Sequence, residues 1–134
     1  MWRALASIVA GLIAWAVVVT ILNFGLRAAI PGYHAAEATL EFTMAMKIGR
    51  LTEAAITSVV AGFVVGLIAP TKKWAPWVVG LVTLAMFLPE HVKLWTHFPV
   101  WYHLSFLVPL VPLVALGGWL ARNASLSGRR AAAA

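Results

Sequence analysis

The stretch Ala4–Leu26, ALASIVAGLIAWAVVVTILNFGL, decides the fold of this chain. It contains no charged residue and no proline. As an α-helix it would be roughly 35 Å long at about 1.5 Å per residue, which is enough to cross the roughly 30 Å hydrocarbon core of a bilayer. A secretory signal has a shorter apolar core, so the stretch predicts a membrane span that is retained.

The composition of the whole chain indicates the same environment. Hydrophobic residues make up 63% of the 134 residues and charged residues only 10%, against about 25% charged residues in an average soluble domain. Four spans would occupy roughly 80 positions at about 20 residues each, which leaves too few for a catalytic or nucleotide-binding domain. The absence of cysteine excludes disulfide scaffolds and thiol chemistry.

Three further apolar runs predict spans at 51–69, 74–88 and 100–120. With the first span at 4–26, they predict an all-α protein, an antiparallel four-helix transmembrane bundle forming one domain over 1–122. The third run would span only roughly 22 Å, so we expect a thinned bilayer or a helix that continues through Pro89. Pro109 and Pro112 predict a kink in the fourth span. Residues 123–134 lack apolar periodicity and are predicted to be a disordered cytoplasmic tail.

The segment before the second span has an amphipathic pattern. Five residues carry it without an intervening proline, which predicts a helical extension on the interface that leads into the span: Glu37, Glu41, Met44, Lys47 and Arg50.

The basic residues predict the orientation. The side that holds both termini has six of them, Arg3, Lys72, Lys73, Arg122, Arg129 and Arg130, and the other side has four, Arg27, Lys47, Arg50 and Lys93. The positive-inside rule therefore predicts cytoplasmic termini. All carboxylates and histidines fall on the outer side: Glu37, Glu41, Glu53, Glu90, His34, His91, His97 and His103. We expect any chemistry of the chain to take place there.

Several of these groups are predicted to share one layer. Asn23, Glu53 and His103 each lie roughly 10 to 11 Å outward of the middle of their spans, inside a half-thickness of about 15 Å. A carboxylate at that depth should face the bundle interior with a cationic partner. The candidates for the layer are Asn23, Arg27, Arg50, Glu53, Glu90 and His103, with Arg27 and Arg50 as the possible partners of Glu53. Two interpretations stay open: a proton- or cation-handling site titrating at Glu53 and His103, or a structural network that fixes helix register.

Small residues recur every four positions on the second span, at Ala54, Ser58, Gly62 and Gly66. Such a stripe lets another helix approach closely where lipid supplies no hydrophobic driving force. It indicates packing within the bundle or, alternatively, packing against a partner subunit.

The histidines do not indicate a metal site. His91, His97 and His103 are six residues apart, so one continuous helix cannot present all three to one ion. Only a folded loop could build a zinc site, with ligands drawn from His34, Glu37, Glu90, His91 and His97, and we predict neither metal nor cofactor. Walker, G-x-S-x-G and H-E-x-x-H motifs are absent, as is any aspartate, which disfavours nucleophilic and phosphoryl-transfer enzymes.

The start and the end of the last span resemble those of a loose group of uncharacterised small four-span bacterial inner-membrane proteins. The likeness covers the last quarter of the chain and consists of His97-Phe-Pro-Val-Trp-Tyr-His103, Leu110, Pro112 and Leu116-Gly-Gly-Trp-Leu-Ala-Arg122. These proteins often have Pro-x-Trp-aromatic entering the last helix and Leu-Gly-x-x-Leu-Ala leaving it. The resemblance implies a bacterial inner-membrane location and no particular activity.

Three functions are compatible with the sequence. The favoured one is a non-enzymatic accessory or structural membrane subunit that packs through its small-residue helix face, as a homo-oligomer or with a partner membrane protein. The second is a small-solute or ion transporter that uses the outer polar layer. The third is an enzyme acting on lipid or quinone with His103 as acid or base. The basic residues lie at helix ends, so the net charge of +6 does not indicate nucleic acid; membrane lipids are the expected surroundings.

Overall fold

A computed structural model describes residues 1–134 as five α-helices without a β-strand. They are α1 (Trp2–Ala29), α2 (Tyr33–Thr39), α3 (Met44–Ile68), α4 (Ala75–Lys93) and α5 (Val100–Ala133). All except α2 are long and apolar enough to cross a membrane. The predicted all-α bundle of four candidate membrane spans is confirmed.

The four long helices surround the bundle axis in the order α1, α3, α5, α4, and α3 and α5 share the largest contact. Glycine makes that contact possible: a Cβ added to Gly62 would overlap the carbonyl oxygen of Val114, and one added to Gly117 would overlap the carbonyl oxygen of Val59. The stripe Ala54, Ser58, Gly62 and Gly66 is buried within the chain. Its role in the structure is the intramolecular one.

The start of α3 differs in part from the prediction. The helix begins at Met44, seven residues before the predicted boundary at Leu51, and Thr43 Oγ1 caps it by accepting a hydrogen bond from the Met46 amide at 3.3 Å. The amphipathic extension is not continuous, because Leu40 has a φ of 61° and ends α2. A left-handed residue cannot continue an α-helix, so Glu37 and Arg50 lie on separate helices.

The last two helices are longer than the predicted spans. α4 continues through Pro89 to Lys93, which agrees with the second of the two alternatives predicted for the third span. α5 is helical through Pro109 and Pro112 and on to Ala133. The prediction of a disordered tail at 123–134 is corrected, since Ala, Leu and Arg favour helix even where no apolar stripe is present.

The two ends of the bundle differ. At one end, Arg3 Nη2 donates to the carbonyl oxygen of Ile68 at 3.0 Å, which places the N-terminus beside the α3–α4 connection. The adjoining half of the bundle is filled by Val65, Ala75, Val79 and Val114. At the other end, called the polar end below, α2 and the flanking loops form a small aromatic core of Tyr33, Ala36, Phe42, Met46, Phe98 and Tyr102.

Candidate functional site

Arg50, in the second turn of α3, is the centre of the polar end. Its Nε donates to the Tyr102 hydroxyl at 3.1 Å and its Nη1 donates to the Tyr33 hydroxyl at 2.9 Å. The guanidinium also lies 4.7 Å from the centre of the Phe42 ring, within the range of a cation–π contact. A charge near hydrocarbon needs partners, and these partners are neutral and come from three different segments.

The arrangement leaves hydrogen-bond donors in excess. Both tyrosine oxygens accept from Arg50, and the Asn23 amide also donates to Tyr33, at 3.4 Å. Burial raises the pKa of Tyr33, although the Arg50 charge opposes that shift, so this hydroxyl keeps its proton at neutral pH. The two hydroxyl protons and the second terminal nitrogen of Arg50 can therefore donate to an acceptor group.

Glu53 lies one turn further along α3 and is buried, with 7% of its surface exposed. The predicted cationic partner does not contact it directly: neither Arg50 nor Arg27 forms a salt bridge with Glu53. Arg27 instead donates to Glu37 at 2.8 Å. The Oε1 atom of Glu53 has no hydrogen-bond partner. A buried carboxylate oxygen without a donor is costly, so it marks a place where a ligand group or water can bind.

Three cavities have Arg50 in their walls, and we call them together the Arg50 chamber. One of about 340 Å³ lies between α1 and α3 and is lined by Asn23, Arg27 and Glu53 among others. A second of about 250 Å³ has Glu53 and Tyr102 in its wall. The third, of about 240 Å³, is lined by Tyr102 and a pair of histidines. Single ligand pockets start at about 300 Å³, so adjoining cavities of this size can hold a small ligand.

The paired histidines are His91 of α4 and His103 of α5. Their Nδ1 atoms are 2.8 Å apart. Such a bond needs one Nδ1 that carries a proton and one that does not. His103 is also stacked on Trp95, with 4.7 Å between ring centres, and its Nε2 is buried without a partner. His91 therefore belongs to the polar end with the predicted His103.

Glu90 does not belong to the buried layer. Its side chain is 56% exposed and accepts from Lys93 at 2.9 Å. It lies in the wall of the histidine cavity, because α4 ends there. Of the six predicted layer residues, the structure brings Asn23, Arg27, Arg50, Glu53 and His103 around the chamber and leaves Glu90 at its edge.

Glu37 fastens α2 to the end of α1. It accepts from Arg27 Nε and lies 3.3 Å from Nδ1 of His34. Burial by itself would raise the pKa of Glu37, but hydrogen bonds from Arg27, Asn23 and His34 outweigh it and lower the pKa. This contact holds Tyr33 of α2 over Arg50.

No group of three histidine or acidic side chains comes together in a way that could hold a metal ion. The two histidines that are close bond to each other, and His34 lies beside Glu37.

Tyr33 and Tyr102 are functional residues that the sequence pattern did not select. Tyr102 is buried, whereas the tryptophans near the ends of the spans, Trp74, Trp77, Trp95 and Trp101, are 39 to 51% exposed. One signal was present: these are the only two tyrosines of the chain, and both fall on the outer side with Arg50.

In comparisons with protein families, curated proteins and solved structures, no match to this chain was found. The resemblance to small four-span bacterial proteins stays a prediction.

Proposed function

We propose that this chain is a small multi-pass membrane protein that binds a small, oxygen-rich ligand in the Arg50 chamber. One observation carries the proposal: Arg50 and Glu53 line the same cavities without forming a salt bridge with each other. A charge that is withdrawn from water needs partners that offset the cost of its desolvation. Here a guanidinium with a free donor and a carboxylate with a free acceptor are both presented to a cavity.

The polar groups of the Arg50 chamber support ligand binding, whereas the small-residue stripe would support only the packing of a partner helix. The prediction of an accessory or structural subunit rested on that stripe and on the lack of catalytic motifs, and α5 packs against the stripe at Gly62 and Gly66. The accessory role stays a prediction, and any partner would have to bind elsewhere. The enzyme prediction also stays open; it would require a substrate to reach the buried Nε2 of His103.

Binding from one side fits the shape of the bundle. The chamber lies at the polar end, while Val65, Val79 and Val114 fill the half near the N-terminus. Close helix contact at Gly62 and Gly117 adds to that packing. A single chain of this shape offers a binding site rather than a continuous pore.

The binding proposal can be tested by native mass spectrometry of the full chain extracted with its surrounding lipid. We expect a bound small mass in the wild type, and its loss in Arg50→Gln, which keeps length and polarity but removes the charge. Lys47→Gln is the matched control, because Lys47 is a cation one turn earlier on α3 that lines none of the chamber cavities. A mass that is retained equally in Arg50→Gln, or no bound mass in any sample, would contradict the proposal.

Transport is the second candidate, because Glu53 gives the chamber a buried acidic group. A pathway would need a second copy of the chain or a large rearrangement to open the packed half. Proton flux into liposomes should then depend on Glu53 and disappear in Glu53→Gln, while Glu41→Gln, which changes an exposed carboxylate, should retain it. Flux that survives Glu53→Gln would exclude this candidate.

We also propose a bacterial inner-membrane location with both termini in the cytoplasm. The support is the basic-residue count of six against four, together with the resemblance of the last span. Reporter fusions at residue 1 and residue 134 should both report the cytoplasm; a periplasmic signal from either one would contradict the orientation.

A further inference from the structure

An apolar groove runs between α1 and α4 and opens towards the lipid. It encloses about 220 Å³, and its wall includes Leu12 and Ala16 of α1 and Thr83 and Met86 of α4. Ala16 and Met86 are exposed on the outer surface of the bundle. A hydrocarbon chain from the bilayer can therefore enter the groove from the side.

The groove is continuous with the Arg50 chamber. Trp15, Val19 and Phe87 line both the groove and the chamber cavity that contains Arg50 and Glu53. The rings of Trp15 and Phe87 are 4.8 Å apart at this junction. The indole N–H of Trp15 is buried without an acceptor, so the junction also has an unused donor.

The direction of the groove matches that of a lipid molecule. On α1, successive lining residues from Asn23 through Val19 to Leu12 lead from the polar end towards the middle of the helix. On α4, Phe87 and Thr83 lead the same way. A lipid likewise places its headgroup at the interface and its chains towards the midplane.

The polar groups set the headgroup chemistry. Arg50 is a full positive charge without an anionic partner, and the tyrosine hydroxyls beside it add donors, which suits an oxyanion. Glu53 Oε1 lacks a donor, which suits a hydroxyl. A headgroup with both a phosphate and a hydroxyl satisfies the two sites together.

We infer that the chamber and the groove bind one anionic membrane lipid whose headgroup carries a free hydroxyl, with phosphatidylglycerol as the representative of that class. The phosphate accepts from Arg50, the headgroup hydroxyl donates to Glu53, and an acyl chain lies in the groove. This inference rests on the proposed function and names its ligand.

The test uses the full chain in phosphatidylcholine nanodiscs that contain a small, defined fraction of phosphatidylglycerol or of phosphatidylethanol, which is an anionic phosphodiester of the same charge without a headgroup hydroxyl. Retained lipid is measured by native mass spectrometry. We expect the wild type to retain phosphatidylglycerol over phosphatidylcholine, and Arg50→Gln to lower that retention about tenfold, the effect of losing one charge-assisted hydrogen bond. Glu53→Gln should reduce the preference for phosphatidylglycerol over phosphatidylethanol.

Matched variants separate the site from general lipid contact. Lys47→Gln should retain the lipid, while Ala16→Trp, which fills the groove, should lose it. Val17→Trp adds the same bulk at a neighbouring exposed position that does not line the groove, and should retain the lipid. Arg50→Lys keeps the charge without the planar donor pair, so a partial loss is expected. Circular dichroism and gel filtration establish that each variant is folded.

Equal retention of phosphatidylcholine, or retention of phosphatidylglycerol in Arg50→Gln and Ala16→Trp, would show annular lipid only and overturn the inference. Binding of glycerol phosphate as tightly as the intact lipid would overturn the lipid inference but leave the binding function intact. If the chamber binds nothing in any of these samples, both proposals fail.

Discussion

The guanidinium of Arg50 donates to the hydroxyl of Tyr33 across 2.9 Å, and this bond joins a membrane-spanning helix to the short helix that covers it. The charged guanidinium thus has a neutral partner, and the oxygen of Tyr33 accepts the hydrogen bond. Helix α2 and the Arg50 chamber are therefore joined by a direct hydrogen bond.

Tyr33→Phe should lower the free energy of unfolding by about 1–3 kcal/mol, because a partly buried cationic donor loses its acceptor. Tyr102→Phe should act similarly on the Nε side of Arg50. The double variant should deviate from the sum of the two, since both hydroxyls contact one guanidinium. Denaturation in detergent micelles measures all three, with Trp101→Phe at the exposed neighbouring position as the control. Stability unchanged in both single variants would mean that water replaces the hydroxyls without cost.

Gly62→Ala should disrupt the α3–α5 contact, because the added methyl group would overlap the carbonyl oxygen of Val114. Backbone cannot move aside as a flexible side chain can, so we expect a loss of about 1–3 kcal/mol, as for overpacked cores. Gly25→Ala is the matched control: nothing lies within 4 Å of a Cβ at that position of α1. The same denaturation assay compares them. Equal stability of the two variants would contradict the glycine contact.

Acid should release α2 from the bundle through Glu37. Its pKa in the folded protein is lowered from the ordinary value of 4.5. The ionised Glu37 carboxylate therefore stabilises the folded protein above pH 4.5, and this stabilisation is lost as the pH falls through the lowered pKa. Hydrogen exchange of the Tyr33–Thr39 amides, corrected for intrinsic rates, should accelerate as the pH falls below the ordinary value of 4.5 and should not change above it.

In Glu37→Gln, those amides should exchange at a rate that no longer depends on this titration. His34→Gln controls for the neighbouring ring, whose Nδ1 lies 3.3 Å from the Glu37 carboxylate. An acceleration that persists in Glu37→Gln would assign the pH effect to another group.

The His91–His103 pair should contain two different Nδ1 states. A direct Nδ1 to Nδ1 hydrogen bond at 2.8 Å needs one protonated and one unprotonated nitrogen. In nitrogen-15 spectra of histidine-labelled protein at neutral pH, His91 and His103 should give one ring of each kind among the four histidines, and His91→Phe should alter the signals of His103. Two rings that both carry a proton on Nδ1 would contradict the bond.

Part of the site could be predicted from the distance of each polar residue from the middle of its span. Asn23, Glu53 and His103 were placed in one layer from helix rise alone, and the structure places all three around the chamber. Glu90 departs from the layer because α4 ends beside it and its side chain reaches Lys93. His91 and Tyr33 could not be predicted in this way. The contact of His91 with His103 depends on the rotation of α4 relative to α5, and that of Tyr33 with Arg50 on the position of α2 relative to α3.

The sequence by itself determined that this chain forms four apolar helices with its acidic groups and histidines towards one end, because apolar length and charge position are properties of each segment alone. Only the tertiary structure decided which groups touch. Arg50 bonds to two tyrosines instead of Glu53, the glycine stripe of α3 is used against α5, and a left-handed Leu40 separates α2 from α3. Which side chains contact each other depends on how the helices are rotated and on competition among nearby donors and acceptors. Neither can be predicted from the periodicity of a single span.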